Sequence, residues 1–193
     1  MMVYRQTEAT LDRLAKRRID IMLAAIEHAQ VHGLNEFNVN QVAKYARVAI
    51  GTVYIHYVNS DELVASLIAH CAQEDSRALR DACEKVTDPM ARLARALQKF
   101  ITIYTSTRKL HPSLMAREGY RRTIVRTLTD IIASYERKHD PEMLALAIVG
   151  ALHSVLQSQT NPSRSRLTAI LETALRIADV TPDTYQARAK ENA

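Results

Sequence analysis

Two short patterns in the 193-residue sequence have residue types and spacing that could do chemistry. His28 and His32 are one helical turn apart, as in many metal sites, but no third ligand is near. Histidines are also favoured at the C-terminus of a helix by its dipole. Ser106 and Lys109 form a Ser-x-x-Lys pattern that no second catalytic motif supports. With no Ser/His/Asp set or phosphate loop either, we expect no enzyme, no catalytic residue, no metal and no cofactor.

The two cysteines, Cys71 and Cys83, are predicted to be reduced. They fall on one predicted helix, where their spacing at ~1.5 Å per residue separates them by roughly 18 Å, beyond disulfide reach. The first residues are polar and charged where a signal peptide needs an apolar core. No apolar stretch approaches the ~20 residues of a membrane span. We therefore expect a soluble, cytoplasmic protein without a membrane segment.

Composition favours an all-α fold. The chain is 47% hydrophobic, has only 4 Gly and 5 Pro, and lacks a run of alternating apolar residues. Its net charge of +5 is unevenly placed, because residues 1–70 hold seven basic and seven acidic residues. Global charge is therefore weak evidence for a nucleic-acid partner, and local patterns have to decide.

Periodicity in the N-terminal third predicts three helices. The first carries an apolar stripe and ends near Gly33, which suits a left-handed C-terminal cap; the stripe is Ile19, Met22, Leu23 and Ile26. Asn38 is placed to N-cap a short second helix. After a turn at residues 46–48, a third helix turns Val53 and Tyr57 inward. This spacing is that of a helix-turn-helix unit, and an ordinary helical hairpin is the alternative.

The block from Arg17 to Ile68 resembles the DNA-binding head of TetR-type (TetR/AcrR) transcription regulators. The resemblance rests on "HGLNEFNVNQVA", "GTVYIHY" and "NSDEL" at their joint spacing, and it covers a little over a quarter of the chain. It implies a three-helix head over residues 10–60, with the motif at about 38–57. A long helix would join this head to a helical effector-binding and dimerisation body over 61–180, followed by a flexible tail over 181–193.

The resemblance also implies a homodimeric regulator of double-stranded DNA, most simply a repressor released by a small effector. The positions that match the family's DNA-facing residues, with the nearby basic residues, are Lys16, Arg17, Asn40, Gln41, Lys44, Arg47, Ala49, Ile50, Gly51, Thr52, Tyr54, Ile55 and His56.

Several of these positions depart from the family pattern. Arg47 replaces the usual turn Gly, Ala49 the usual Ser/Thr N-cap and Ile50 a common Lys, and Val58 and Ser60 are not the frequent lysines. An Ala N-cap weakens a helix by about 1 kcal/mol, and each missing Lys removes a phosphate contact. The alternative function is therefore a TetR-like protein that no longer binds DNA and docks on a partner protein.

The body is predicted to contain helices from Asp61 to Thr87, from Asp88-Pro89 onward, after Pro112, over Tyr120–Arg137, from Pro141, and after "NPSRS". The helix from Pro141 is apolar on two faces and the last helix is amphipathic, and two such adjacent helices suit a four-helix dimer interface. The alternative is that they only close the core of the monomer. The predicted interface residues are Ala147, Ala151, Ser154, Ser158, Leu167, Ile170, Leu171 and Ala174.

Soft apolar and aromatic residues in the body are candidates for an effector pocket, although such residues at helical spacing are also typical of a plain core. The predicted lining is Phe100, Tyr104, Met115, Tyr120, Ile124, Leu128 and His153. This set suggests a small lipophilic or mixed effector.

Overall fold

A computed structural model describes residues 8–107, 109–133, 140–158 and 162–178. The predicted all-α fold is confirmed, because these residues form nine helices and no strand. The helices are α1 (Glu8–His32), α2 (Val39–Tyr45), α3 (Ile50–His56), α4 (Ser60–Cys83), α5 (Pro89–Ser106), α6 (Leu110–Met115), α7 (Glu118–Ile132), α8 (Pro141–Gln157) and α9 (Arg164–Ile177).

Helix α1 ends where the sequence predicts, because Gly33 has a left-handed φ of +80° and its amide bonds to the Ala29 carbonyl at 2.8 Å. The predicted apolar stripe, however, is only partly inward: Met22 and Ile26 are half-buried against the core, and the other two residues are not. Ile19 and Leu23 are 52% and 50% exposed. The buried face is instead made largely of small residues, which let neighbouring helices approach closely; it comprises Ile21, Ala24, Ala25, His28 and Ala29.

The helix-turn-helix geometry follows from local capping. The Asn38 side chain accepts hydrogen bonds from the amides of Asn40 at 2.9 Å and Gln41 at 3.3 Å, as predicted for an N-cap. Arg47 turns the chain with a φ of +54°, a left-handed conformation that normally favours glycine. Ala49 gives α3 no side-chain cap, and α3 is held by burial of Val53 together with Tyr57 at its end.

In the body, α4 packs against α5 and α7, and α8 packs against α7 and α9. Helices α5 and α8 begin at Pro89 and Pro141, as the sequence predicts, and the side chains of Asp88 and Asp140 cap them. One continuous apolar core runs through the head and these helices. Helix α1 also contacts α4 and α6, so the head rests directly on the body.

Two predicted boundaries are wrong. Helix α4 ends at Cys83 rather than near Thr87. Helix α6 begins at Leu110, before Pro112 rather than after it. Pro112 is tolerated because it lies in the first turn, where backbone amides have no partner within the helix. Helix α7 is described to Ile132, and its predicted end at Arg137 lies outside the described residues. The predicted tail, 181–193, also lies outside the described residues. Among the described helices, none is long and apolar enough to cross a membrane.

Candidate DNA-binding surface

Helix α3 lies on the protein surface with one face outward. Ile55 is 75% exposed, and Ile50, Gly51 and Tyr54 beside it are also exposed. Thr52 and His56 are half-buried at the edges of this face. Since α3 is only seven residues long, the burial of Val53 on its other face leaves most of its side chains free to contact another molecule.

Basic residues of α1 gather beside the end of α3. Lys16, Arg17 and His56 line a cleft of about 520 Å³ together with Arg13, Leu14 and Asp20. Arg13 is absent from the predicted site, although its spacing of three and four residues from Lys16 and Arg17 puts all three on one helix face. The cleft is therefore mainly cationic, with Asp20 as its one acidic lining residue.

The remaining predicted contact residues lie around α2. Asn40 and Gln41 are exposed at its N-terminus, Lys44 is exposed in its last turn, and Arg47 and Ala49 are exposed in the turn that leads to α3. The structure thus places the predicted DNA-facing residues on α1, α2, α3 and the α2–α3 turn, with their side chains exposed or half-buried.

Arg18 and Tyr57 join α1 to the end of α3. The Arg18 guanidinium donates to the His56 carbonyl and, at 2.9 Å, to Glu62 Oε1. The Tyr57 hydroxyl donates to the Arg18 carbonyl at 2.9 Å. The hydrogen bond from Arg18, followed by that from the Val58 amide, lowers the pKa of Glu62. Glu62 is therefore held as a carboxylate, partnered with Arg18 at this junction.

Residues 21–67 match the family model for bacterial regulatory proteins of the tetR family. This range spans the second half of α1, all of α2 and α3, and the start of α4. Over this range the chain is similar to bacterial regulatory proteins of the tetR family, and the matched residues include the two helices of the helix-turn-helix. No curated protein matches the chain.

Solved TetR-type structures extend the fold likeness to most of the chain. A TetR-like transcriptional regulator from Rhodococcus sp. RHA1 has 22% identity and a TM-score of 0.63, covering 84% of this chain and 94% of its own. A TetR regulator from Haloarcula marismortui has 17% identity and a TM-score of 0.68, covering 86% and 97%. The regulator FadR from Bacillus subtilis, in complex with stearoyl-CoA, has 17% identity and a TM-score of 0.64, covering 82% and 96%.

In the body, most predicted pocket residues are packed in the core. Phe100, Tyr104, Met115, Tyr120, Ile124 and Leu128 are buried, and His153 is half-buried. The structure brings Tyr104 and His153 together, with the Tyr104 hydroxyl 2.9 Å from His153 Nδ1. Burial raises the pKa of Tyr104 to about 12, and burial, then Arg121, lowers the pKa of His153. This pair is therefore neutral near pH 7.

Tyr120 has a different partner, which the sequence reasoning missed. Its hydroxyl donates to Asp75 Oδ2 at 2.6 Å, and His111 Nε2 lies 3.1 Å from the same oxygen. Burial, followed by the Asp75 charge, raises the pKa of Tyr120. A signal was present in the sequence, because Asp75 stands four residues after Cys71 and four before Leu79, in line with buried positions of α4.

The predicted interface residues divide between surface and core. Ala147 and Ser154 are exposed on α8, Ser158 is exposed at its C-cap, and Ala151 is half-buried. On α9, Ile170 and Ala174 are buried within the protomer, and Leu167 and Leu171 are half-buried. Between the two helices lies a cavity of about 260 Å³, lined by Ala151, Leu152, Val155, Arg166, Ala169, Ile170, Thr173, Ala174 and Ile177.

The exposed side of α8 extends beyond the predicted small-residue stripe. Met143, Leu146 and Gly150 are exposed beside Ala147 and Ser154. From Met143 to Ser158 the sequence has no Asp, Glu, Lys or Arg. This absence of charge could have identified the additional residues from the sequence, because a solvated helix face normally carries charges.

His28 and His32 stack with their ring centroids 4.7 Å apart. Within the described part of the chain, no group of three or more His, Cys, Asp and Glu is arranged to hold a metal ion. His28 is buried against Phe37 and Tyr45. Burial, and then the neighbouring His32, lowers the pKa of His28.

Proposed function

We propose that the chain is a homodimeric DNA-binding repressor whose operator complex is released by a small lipophilic effector. The observation that carries the proposal is the placement of α3. It exposes Ile50, Tyr54 and Ile55 while Val53 anchors it, and the cationic cleft lies at its end. An exposed helix beside basic residues has the form of a helix that enters the major groove.

Phosphate contacts would come from the residues around α3 rather than from α3 itself. Lys16, Arg17, Lys44 and Arg47 are exposed on two sides of the helix and are the candidate anchors. Thr52, Tyr54 and His56 offer polar groups to phosphates or base edges, and Ile50 and Ile55 offer apolar contact to thymine methyl groups. We therefore expect a preference for half-sites that contain A·T pairs.

Dimerisation through α8 and α9 is supported by the uncharged exposed side of α8. Burying Met143, Leu146 and Ala147 against a second copy would remove apolar surface from water without stranding a charge. A two-fold dimer would place its two α3 helices in successive major grooves, about 34 Å apart. The cavity between α8 and α9 lies beside this face and would receive side chains of the second copy.

The effector site is proposed in the body, where Tyr104 and His153 would be its polar handle. Tyr104 belongs to the apolar core formed with residues of α5, α7 and α8, and His153 is hydrogen-bonded to it. FadR, of the same fold, is described in complex with stearoyl-CoA, so long-chain acyl-CoA is the first probe to use. Stearoyl-CoA should raise the melting temperature of the wild type more than that of Tyr104→Phe. An equal shift in both would place the ligand away from Tyr104.

A selection of duplexes from genomic fragments, followed by a salt titration, tests the DNA-binding proposal. The selected duplex should bind more tightly than a random duplex of the same length. Log affinity falls by about 0.9 per neutralised phosphate for each log unit of salt, so up to four anchors per head give a slope of about −4 to −7 for the dimer. Absence of preference for any duplex at low salt would contradict the proposal and leave the partner-docking function in its place.

A further inference from the structure

Helix α3 has little of its own to fix its orientation. It has seven residues, and Ala49 supplies no side-chain hydrogen bond to its first turn. Helices this short are unstable alone and depend on tertiary contacts. Val53 and Tyr57 supply the apolar contacts, so a directional contact at the C-terminal end would complete the attachment.

Arg18 makes that contact. Its guanidinium carbon lies 4.1 Å from the centre of the Tyr57 ring, and one amino group donates to the His56 carbonyl. The carbonyls of a helix's last turn lack partners within the helix, and a positive charge there is favourable. The hydroxyl of Tyr57 returns a hydrogen bond to the Arg18 carbonyl at 2.9 Å. Arg18 thus holds the end of α3 through both its side chain and its backbone.

Glu62 extends the same junction to α4. One carboxylate oxygen accepts from Arg18 Nη2 at 2.9 Å, and the other accepts from the Val58 amide at 2.6 Å. The Glu62 amide in turn donates to the Asn59 side chain, which caps α4, at 2.8 Å. A single carboxylate therefore joins the segment that leaves α3, the start of α4 and the Arg18 side chain on α1.

We propose that Arg18 is a positioning residue for α3, which with Glu62 sets the angle at which α3 meets DNA without itself contacting a phosphate. This inference rests on the proposed DNA-binding function. Both amino groups of Arg18 are engaged inside the protein, and its side chain is 43% exposed. Arg17, next to it, is exposed and lines the cationic cleft. The two neighbouring arginines therefore have different roles.

The two roles are separated by measuring, with fluorescence anisotropy, how tightly each variant binds operator and random duplexes at several salt concentrations. Arg18→Gln should weaken binding to the selected operator about tenfold, as expected when hydrogen bonds to a charged group are lost. Binding to a random duplex and the salt slope should stay close to wild type. Arg17→Gln, the matched control, should weaken binding to both duplexes. It should also make the salt slope shallower by about 0.9 per head. Arg126→Gln, exposed on α7, should change neither.

Two further variants test the geometry of the junction. Arg18→Lys keeps the charge but loses the planar fork that reaches the His56 carbonyl and Glu62 together, so it should lose operator preference as well. Glu62→Gln should reproduce part of that loss. A shallower salt slope in Arg18→Gln would make Arg18 a phosphate contact, and full operator affinity in Arg18→Lys would show that charge alone suffices. Either result overturns the proposal.

Hydrogen exchange of the DNA-free protein gives a readout that does not depend on the proposed function. The α3 amides should exchange several-fold faster in Arg18→Gln than in wild type, while the α2 amides stay unchanged. If the wild type selects no duplex but α3 exchange rises, DNA binding fails and the positioning role stands. Unchanged α3 exchange refutes the positioning role whatever the DNA result.

Discussion

The Tyr120 hydroxyl on α7 donates a 2.6 Å hydrogen bond to Asp75 Oδ2 on α4. His111 on α6 contacts the same oxygen at 3.1 Å, so one carboxylate ties three helices of the body together. His111 also bonds through Nδ1 to the Thr107 hydroxyl, which fixes its ring. Tyr120 and His111 are buried, and loss of either partner would leave polar atoms of this cluster unsatisfied.

Tyr120→Phe should therefore lower the free energy of unfolding by about 1–3 kcal/mol, because the Asp75 carboxylate loses a charged hydrogen bond in a buried setting. Urea unfolding followed by circular dichroism measures this change. Tyr54→Phe is the control, since Tyr54 is exposed on α3 and should shift stability by less than about 0.5 kcal/mol. Equal stabilities of the two variants would show that the Asp75 contact contributes nothing.

The Asp75 cluster also shows where sequence reasoning stops. Helix starts at Asn38, Asp88 and Asp140 were predictable, because a capping side chain bonds within three residues of itself. Contacts of Asp75 with Tyr120 and His111 join residues 45 and 36 positions apart. Periodicity describes one helix at a time, so it places Asp75 on an inward face but does not name what it meets.

The partly misplaced inward face of α1 has a similar cause. Apolar residues surround much of this helix, so the set with Ile19 and Leu23 and the set with Ile21 and Ala25 both have helical spacing. The choice between them depends on how closely α2 and α4 approach, which favours the face with small residues. The helix-turn-helix could be predicted more fully, because Asn38, Val53 and Tyr57 carry local signals.

Stability should fall as the pH drops below the ordinary His pKa, and His28 should account for part of the loss. Burial and the neighbouring His32 lower the pKa of His28 from 6.5 in the folded protein, so the unfolded chain binds its proton more readily. The contribution is complete above pH 6.5 and is lost as the pH falls toward the lower folded value. Nδ1 of His28 is buried without a hydrogen-bond partner among the described residues, and the Glu36 charge opposes the lowering only in part.

The measurement for His28 is the urea midpoint of wild type and His28→Leu at several pH values from 7.5 to 5. The wild type should lose more stability over this range than the variant. His153→Asn serves for comparison, because burial and Arg121 also lower the pKa of His153. This variant should lack the part of the pH-dependent stability loss that His153 contributes. Parallel pH profiles for wild type and His28→Leu would be evidence against this role.

Ala147→Arg should weaken the proposed dimer strongly. Ala147 is exposed on the uncharged side of α8, so an arginine there is harmless to the monomer but would be buried without a partner between two copies. Sedimentation velocity over a concentration series should show monomers where the wild type is dimeric. Ala65→Arg, at an exposed position of α4, should leave the dimer intact. If Ala147→Arg forms a dimer as tightly as the wild type, the interface does not include this side of α8.

Ile55→Ala should reduce sequence preference without affecting the fold. Ile55 is 75% exposed on α3, so its removal creates no cavity in the core. Contact with a thymine methyl group would be lost on the selected operator, at a cost of about 1–2 kcal/mol, and binding to random DNA should change much less. Because no charge changes, the salt slope should equal that of the wild type.

Anisotropy titrations of operator and random duplexes at one salt concentration measure this difference directly. Val31→Ala is the matched control, since Val31 is an exposed β-branched residue near the end of α1, away from the cationic cleft, and it should bind both duplexes like the wild type. An Ile55→Ala protein that keeps full operator preference would show that Tyr54, Thr52 and the polar residues of α2 read the site without it. Equal losses on both duplexes would instead mean that α3 itself has shifted, which hydrogen exchange of its amides would then detect.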